Sequence, residues 1–212
     1  MNYSALICAA GSGTRMHLGY NKVYAKLESG LTILDTTISV FEEDTDCTQI
    51  VVVTDLGTFQ ENHKVKSNKI VVVEGGATRQ ESVYHGLFAV NNEYVMIHDG
   101  ARPYLTSQNL QDIKETLQNE DACLLMVPCK DTIKRVINGY VEMTYDRSTL
   151  MNAQTPQAFK TSLIIDCTKQ AIQDDFVGTD DASLVEKYSD VKVKVVEGSY
   201  SNIKITTIED LK

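Results

Sequence analysis

The 212-residue sequence has no apolar stretch approaching the roughly 20 residues that span a bilayer, which argues against a membrane-spanning helix. Its first residues run straight into a strand-like segment and do not have the layout of a signal peptide. No Cys/His cluster has zinc-ligand spacing. The five cysteines, Cys8, Cys47, Cys123, Cys129 and Cys167, are odd in number and scattered, so a disulfide framework is not expected. Cys8 and Cys123 lie in apolar runs as small core residues, and a reducing cytoplasm is the expected compartment. Low-complexity tracts, linkers and internal repeats are missing too. Positive charge is scarce: 20 Lys and Arg face 29 Asp and Glu, a net charge of −9. This argues against nucleic-acid backbones and anionic membranes as partners. Any phosphate site must then be a local basic pocket, with Arg15, Lys22, Arg102, Arg147 and Lys204 as its candidate cations.

What is present is ordinary for a globular protein, with 42% hydrophobic and 23% charged residues. Strand-like runs cover Ser4–Cys8, Gln49–Thr54, Lys69–Glu74, Tyr94–His98, Cys123–Pro128 and Val191–Glu197. Between them, Leu31, Leu34, Ile38 and Phe41 recur at helical spacing. So do Val83, Leu87 and Val90, and Leu110, Ile113 and Leu117, the last set after a cap at Ser107. Ile50-Val-Val-Val and Ile70-Val-Val-Val are apolar on both faces, as strands of a parallel sheet covered by helices on both sides are. The expectation is one domain over residues 1–212, of Rossmann-like, doubly wound α/β class with a mostly parallel sheet and ligands at the strands' carboxyl ends.

The segment Ala9-Ala10-Gly11-Ser12-Gly13-Thr14-Arg15-Met16 follows the first strand. Gly11 and Gly13 leave backbone N–H groups open to phosphate oxygens. A dinucleotide fingerprint needs a third glycine where Met16 stands, and the Gly-Lys-Ser/Thr of a P-loop is also missing. The loop instead adds fixed cations, Arg15 and then Lys22. That suits a triphosphate attacked at phosphorus better than a pyrophosphate merely held.

Three further segments fall at strand ends. His98-Asp99-Gly100-Ala101-Arg102-Pro103 puts a carboxylate where α/β sheets bind ligands, and Asp99 beside phosphates suits Mg²⁺. His98, at the strand end, reads as a core residue or one behind the site rather than a base. Gly75-Gly76-Ala77-Thr78-Arg79-Gln80-Glu81-Ser82 is a second strand–glycine–helix loop. It suits reading a base edge by main-chain groups, with Ser82 as a side-chain partner. Asn202-Ile203-Lys204-Ile205-Thr206 is a short apolar segment with one cation, expected at the sheet edge that carries Asp99. Between about 131 and 147 the alternation breaks. Asn138-Gly139 is a strong two-residue hairpin signal, and the register sets Val136 opposite Val141 and Arg135 opposite Glu142. An isolated hairpin is marginal in water, so this arm is expected to pack on a second subunit or to fold back as a flap.

In their order along nearly the whole chain, these motifs resemble the sugar-phosphate and polyol-phosphate cytidylyltransferases. Within them the sequence is most similar to the 2-C-methyl-D-erythritol 4-phosphate cytidylyltransferase family of non-mevalonate isoprenoid synthesis. The residues carrying the resemblance include Gly-Gly-x-x-Arg-x-x-Ser-Val, His-Asp-x-Ala-Arg-Pro, Asp131-Thr-Ile-Lys-Arg, Asp146-Arg147, Gln154-Thr-Pro-Gln-x-Phe159, Thr179-Asp-Asp-Ala-Ser183 and Asn202-Ile-Lys-Ile-Thr206. The near relative is ribitol-5-phosphate cytidylyltransferase, which makes CDP-ribitol for wall polymers. The resemblance implies that Arg15, Lys22 and Lys204 surround the reacting phosphates, and that Ala9, Ala10, Gly76 and Ser82 frame the cytidine. It implies Asp99 as the Mg²⁺ and acceptor-side acid. Arg102, Thr132, Arg147, Thr155 and Lys204 would hold the phosphorylated alcohol, with Thr132 and Arg147 reaching in from a homodimer partner's arm. The family's Pro-Lys-Gln is here Asn21-Lys22-Val23, and an acid found after the glycine pair in some members is here Ala77.

Overall fold

The structure is a computed structural model that describes residues 1–11, 20–63 and 67–211. A seven-stranded sheet has the order β3-β2-β1-β4-β8-β5-β9. Its first three strands, β1 (Tyr3–Cys8), β2 (Cys47–Thr54) and β3 (Ile70–Glu74), are joined by α1 (Ile33–Glu43) and α2 (Leu56–Asn62). Next come α3 (Arg79–Leu87), β4 (Tyr94–Asp99), α4 (Ser107–Thr116) and β5 (Ala122–Pro128). After a separate hairpin of β6 (Lys134–Ile137) and β7 (Tyr140–Thr144), the chain returns through β8 (Met151–Lys160), α5 (Thr161–Gln173), α6 (Ala182–Tyr188) and β9 (Lys194–Glu197).

In β1 and β2 the continuous apolar runs are buried on both faces, as expected, but Ile70–Val73 is not: β3 is an edge strand of the sheet, its apolar residues are only half-buried and Val71 is exposed. In β1, Tyr3, Ala5 and Ile7 join one core and Leu6 joins the other; in β2, Ile50 and Val52 part from Val51 and Val53 in the same way. On one face α1 and α4 supply Ile38, Phe41, Leu110 and Ile113. On the other, α3, α5 and α6 supply Val83, Leu87, Ile164, Leu184 and Val185. Chain order reverses at β1, which pairs in parallel with β2 on one side and with β4 on the other. That switch point leaves a crevice at the carboxyl ends of β1 and β4.

The structure corrects several expected boundaries. Thr106, not Ser107, caps α4, its hydroxyl accepting from the Asn109 N–H at 3.2 Å. Leu31 precedes α1, whose cap is Thr32. The last strand begins at Lys194, not Val191. The sheet also contains an unanticipated strand: β8 lies antiparallel between β4 and β5. Its sequence has little apolar alternation because Gln154, Thr155 and Gln157 are buried through hydrogen bonds instead. Gln157 donates to Asp180 Oδ2 and accepts from the Ala182 N–H, both at 2.8 Å, and Gln154 donates to the Ser199 carbonyl at 2.8 Å.

The hairpin turns at Asn138 and Gly139, with φ of 50° and 83°, the left-handed pair that a two-residue turn requires. Val136 faces Val141 as expected. A register shift next to it moves Arg135 opposite Met143 rather than Glu142. The Arg135 side chain still reaches Glu142, with Nε 2.9 Å from Oε2. Every residue of both strands is exposed, so the arm does not fold back as a flap.

Candidate active site

A cavity of about 430 Å³ opens at the switch point. Its lining includes Ala9, Ala10 and Gly11 from the end of β1, Gly76 and Ser82 from the second glycine loop, Asp99, and the cations Lys22, Arg79 and Lys204. Gly13 and Arg15 lie outside the described residues. The two loops meet closely: a Cβ on Gly75 would strike the Ala10 Cβ. The second loop is fixed where α3 starts. Thr78 caps the helix by accepting from the Glu81 N–H at 3.1 Å. The Ser82 hydroxyl accepts from the Gly76 N–H at 3.0 Å and donates to the Thr78 carbonyl at 2.8 Å.

Lys22 sits in a short 3-10 turn, Lys22–Tyr24, capped by Asn21. The Asn21 amide donates to the Ala9 carbonyl at 2.6 Å and its oxygen accepts from the Val23 N–H at 3.2 Å. Asn21 thereby ties the lysine's turn to the first glycine loop. The ammonium donates to the Ile205 carbonyl at 2.6 Å. The segment around Lys204 is not a strand but an irregular stretch stitched across the sheet edge. Its Ile205 N–H donates to the Ala101 carbonyl at 2.9 Å, and Arg102 donates to the Asn202 carbonyl at 2.7 Å.

Asp99 is the hub. Lys204 Nζ lies 2.8 Å from Oδ2, Arg102 Nε 3.6 Å from Oδ2, and Arg79 Nε 3.4 Å from Oδ1. Burial alone would raise the pKa of this carboxyl, but the Arg79, Lys204 and Arg102 cations hold it well below the usual carboxylate range. Asp99 is therefore an anion at neutral pH and cannot serve as a general acid. Burial pushes the Cys8 thiol up to about 12, so the cysteine in the cavity wall is not a nucleophile.

Behind Asp99 lies a closed hydrogen-bond chain. The Thr155 hydroxyl accepts from the Asp99 N–H at 3.0 Å and lies 3.0 Å from His98 Nδ1. His98 Nε2 lies 3.0 Å from the Arg102 carbonyl, which can only accept, so Nε2 carries the proton. Nδ1 then accepts from Thr155. Fully buried, His98 is pushed down to about 4 and stays neutral. It is the core residue behind the site that its strand-end position indicated.

The candidate residues thus divide into groups. Ala9, Ala10, Gly11, Lys22, Gly76, Ser82, Asp99 and Lys204 share the cavity. Arg102 and Thr155 touch Asp99 from behind. Thr132 and Arg147 do not line this cavity: both are exposed at the foot of the arm, where Arg147 donates to the Lys130 carbonyl at 2.7 Å. Two residues that bear on the site were not anticipated, Arg79 and Asp181. Arg79 appears in the Gly-Gly-x-x-Arg motif, but its partner lies 102 residues away.

A glycine-lined crevice at the switch point of a doubly wound sheet, ringed by cations and one ionised carboxylate, defines the class of a nucleotide-handling α/β transferase. A family model described as IspD, 2-C-methyl-D-erythritol 4-phosphate cytidylyltransferase, matches residues 3–212. Proteins of that description from Bacillus velezensis and Geobacillus thermodenitrificans are 43% and 44% identical to this chain. Each alignment covers 100% of the chain, and 93% and 94% of the relative respectively. A crystal structure of 4-diphosphocytidyl-2C-methyl-D-erythritol synthase from Anaerococcus prevotii superposes with a TM-score of 0.87 at 34% identity, over 99% of this chain and 93% of that one. The Francisella tularensis 2-C-methyl-D-erythritol 4-phosphate cytidylyltransferase does so with a TM-score of 0.87 at 33% identity, over 100% and 97%. The chain belongs to the 2-C-methyl-D-erythritol 4-phosphate cytidylyltransferase family.

Proposed function

We propose that this chain transfers CMP from CTP to 2-C-methyl-D-erythritol 4-phosphate, releasing pyrophosphate, in isoprenoid precursor synthesis. The observation that carries the reading is the meeting of Lys22, Lys204 and Asp99 with two glycine loops in one cavity. A phosphate acceptor is already anionic, so no general base is needed. Its oxygen attacks the α-phosphorus, a new P–O–P bond forms, and the bond to the β-phosphate oxygen breaks as pyrophosphate leaves. What the chain must do is hold two polyanions in line and offset the charge that develops. Lys22 and Lys204, both in the cavity wall, do this, and the resemblance adds Arg15 as a third cation. Ala9, Ala10, Gly76 and Ser82 frame the cytidine, and Arg102 with Thr155 supports the acceptor side.

Mg²⁺ fits this donor set. No cluster of three or more His, Cys, Asp or Glu is present among the described residues, but Mg²⁺ needs only one or two carboxylates when phosphate oxygens complete its shell. Asp99 would hold it, and the ion would supply charge neutralisation on the phosphates. The reading takes residues 1–212 as one nucleotidyltransferase domain of a cytoplasmic enzyme. The arm at about 131–147 would dock on a second subunit, since Val136, Ile137, Tyr140, Val141 and Met143 are exposed on it. Thr132 and Arg147 would then complete the partner's acceptor site. A pyrophosphate-release assay across CTP, UTP and ATP, with methylerythritol phosphate and ribitol phosphate as acceptors, tests the reading. Turnover with CTP and methylerythritol phosphate is expected, and equal turnover with UTP or a preference for ribitol phosphate would overturn it.

A further inference from the structure

Arg79 faces the cavity, yet most of its fork points away from it. Nη1 lies 3.0 Å from Asp181 Oδ1 and Nη2 2.7 Å from Asp181 Oδ2, a bidentate pair, while Nε faces Asp99. Asp181 is buried and is not in the cavity wall. Its side chain makes no capping bond to α6, which it precedes, so the helix does not explain a buried carboxylate here. The Thr179-Asp-Asp-Ala-Ser183 motif has no other role at the site: Asp180 caps Ser183 and receives Gln157.

We propose that Arg79 and Asp181 form a strut that fixes Asp99, making Asp181 a positioning residue for transfer and Arg79 something other than a phosphate-binding cation. The strut joins the first turn of α3, the start of α6 and the end of β4. With two carboxylates on its guanidinium, Arg79 has little net charge to offer a phosphate. Lys204 and Arg102 share Asp99 Oδ2; Arg102 is tethered to the Asn202 carbonyl, whereas the Lys204 side chain is 36% exposed and can be drawn towards phosphates when substrates enter. Arg79 holds Oδ1 and is itself tethered by protein, so it keeps the carboxylate in place while the Lys204 contact exchanges.

The inference rests on the transferase reading, and its test separates the two. Asp181→Asn, Arg79→Met and the double variant are compared by steady-state kinetics and thermal unfolding. Each single variant is expected to lose roughly 10- to 100-fold in kcat, the scale of a small misplacement at a reacting centre, with the KM for CTP changed less than about threefold. The double variant should match the worse single one, because both remove the same unit. Arg79→Lys keeps the charge but not the fork, and should not rescue. Wild-type kcat in Asp181→Asn, multiplicative losses in the double variant, or rescue by Lys would overturn the strut. Lowered unfolding temperature with kcat intact would do so too. If the wild-type chain transfers no CMP, the functional reading fails instead. The strut is then decided by the Arg79 Nε–H resonance of the ligand-free protein, expected to be protected from exchange in wild type and lost in Asp181→Asn. An unchanged resonance overturns it.

Discussion

Replacing His98 by leucine isolates the hydrogen-bond chain behind Asp99 through its pH dependence. His98 is pushed down to about 4 from an ordinary 6.5 by burial. Between those values the unfolded chain binds a proton that the native protein does not. Stability from this group is therefore complete above pH 6.5 and is lost as pH falls through 4. At about 1.4 kcal/mol per pH unit, the loss by pH 4.5 is about 2–3 kcal/mol. Asp99 acts in a different window: its carboxyl is depressed, so its contribution persists until pH falls below the ordinary carboxylate value of 3.8. At neutral pH His98→Leu strips the Arg102 carbonyl of a donor and Thr155 of an acceptor, each costing about 1–3 kcal/mol. Urea unfolding at fixed protein concentration, at steps from pH 7.5 to 4.5, reads both effects. The variant should be weaker at pH 7.5, and the gap to wild type should close by about 2–3 kcal/mol at pH 4.5. If the two proteins keep parallel slopes across that range, His98 is not the buried neutral group described.

Lys22→Ala and Lys204→Ala should each lower kcat by roughly 100-fold or more with little change in unfolding temperature, the scale of losing one preorganised charge; near-normal kcat would remove that lysine from the transfer step. Deleting residues 133–144, bridged by Gly-Ser, should give a monomer by sedimentation that still binds CTP but handles the acceptor poorly. In the intact chain Arg147→Ala should mainly raise the acceptor KM; a deletion variant that stays dimeric and active would refute the shared site.

Much of the first half of the molecule was legible because its strands are apolar on both faces and end in glycine loops. Ile50–Val53 reads as a doubly covered strand, and Asp99 gained its reading at a ligand-binding edge only in combination with Arg102, since Asp-Gly after a strand is by itself an ordinary turn. β8 was not legible, since its pattern answers to the site and not to the core: Gln154, Thr155 and Gln157 are buried for the loops they bond. Arg79 was visible as a motif member, but nothing local shows a partner 102 residues on. The arm's turn followed from Asn138-Gly139, whereas the bulge that moves Arg135 opposite Met143 leaves no mark in composition. Lys204 was placed at the correct edge, but what carries it there, backbone stitching to Ala101 and Arg102, leaves no mark in the local pattern.

That stitching has a consequence for how the protein is born. The first glycine loop leaves the ribosome at the start of synthesis, while Lys204 and Ile205 follow every strand of the sheet. At about 5–20 residues per second, the loop waits roughly 10–40 s for them. Until then Lys22 lacks the Ile205 carbonyl and Asp99 lacks its closest cation. The sheet itself is completed only by β9 (Lys194–Glu197), just ahead of Lys204, so the sheet and the capacity to engage two polyanions arrive late and nearly together rather than growing with chain length.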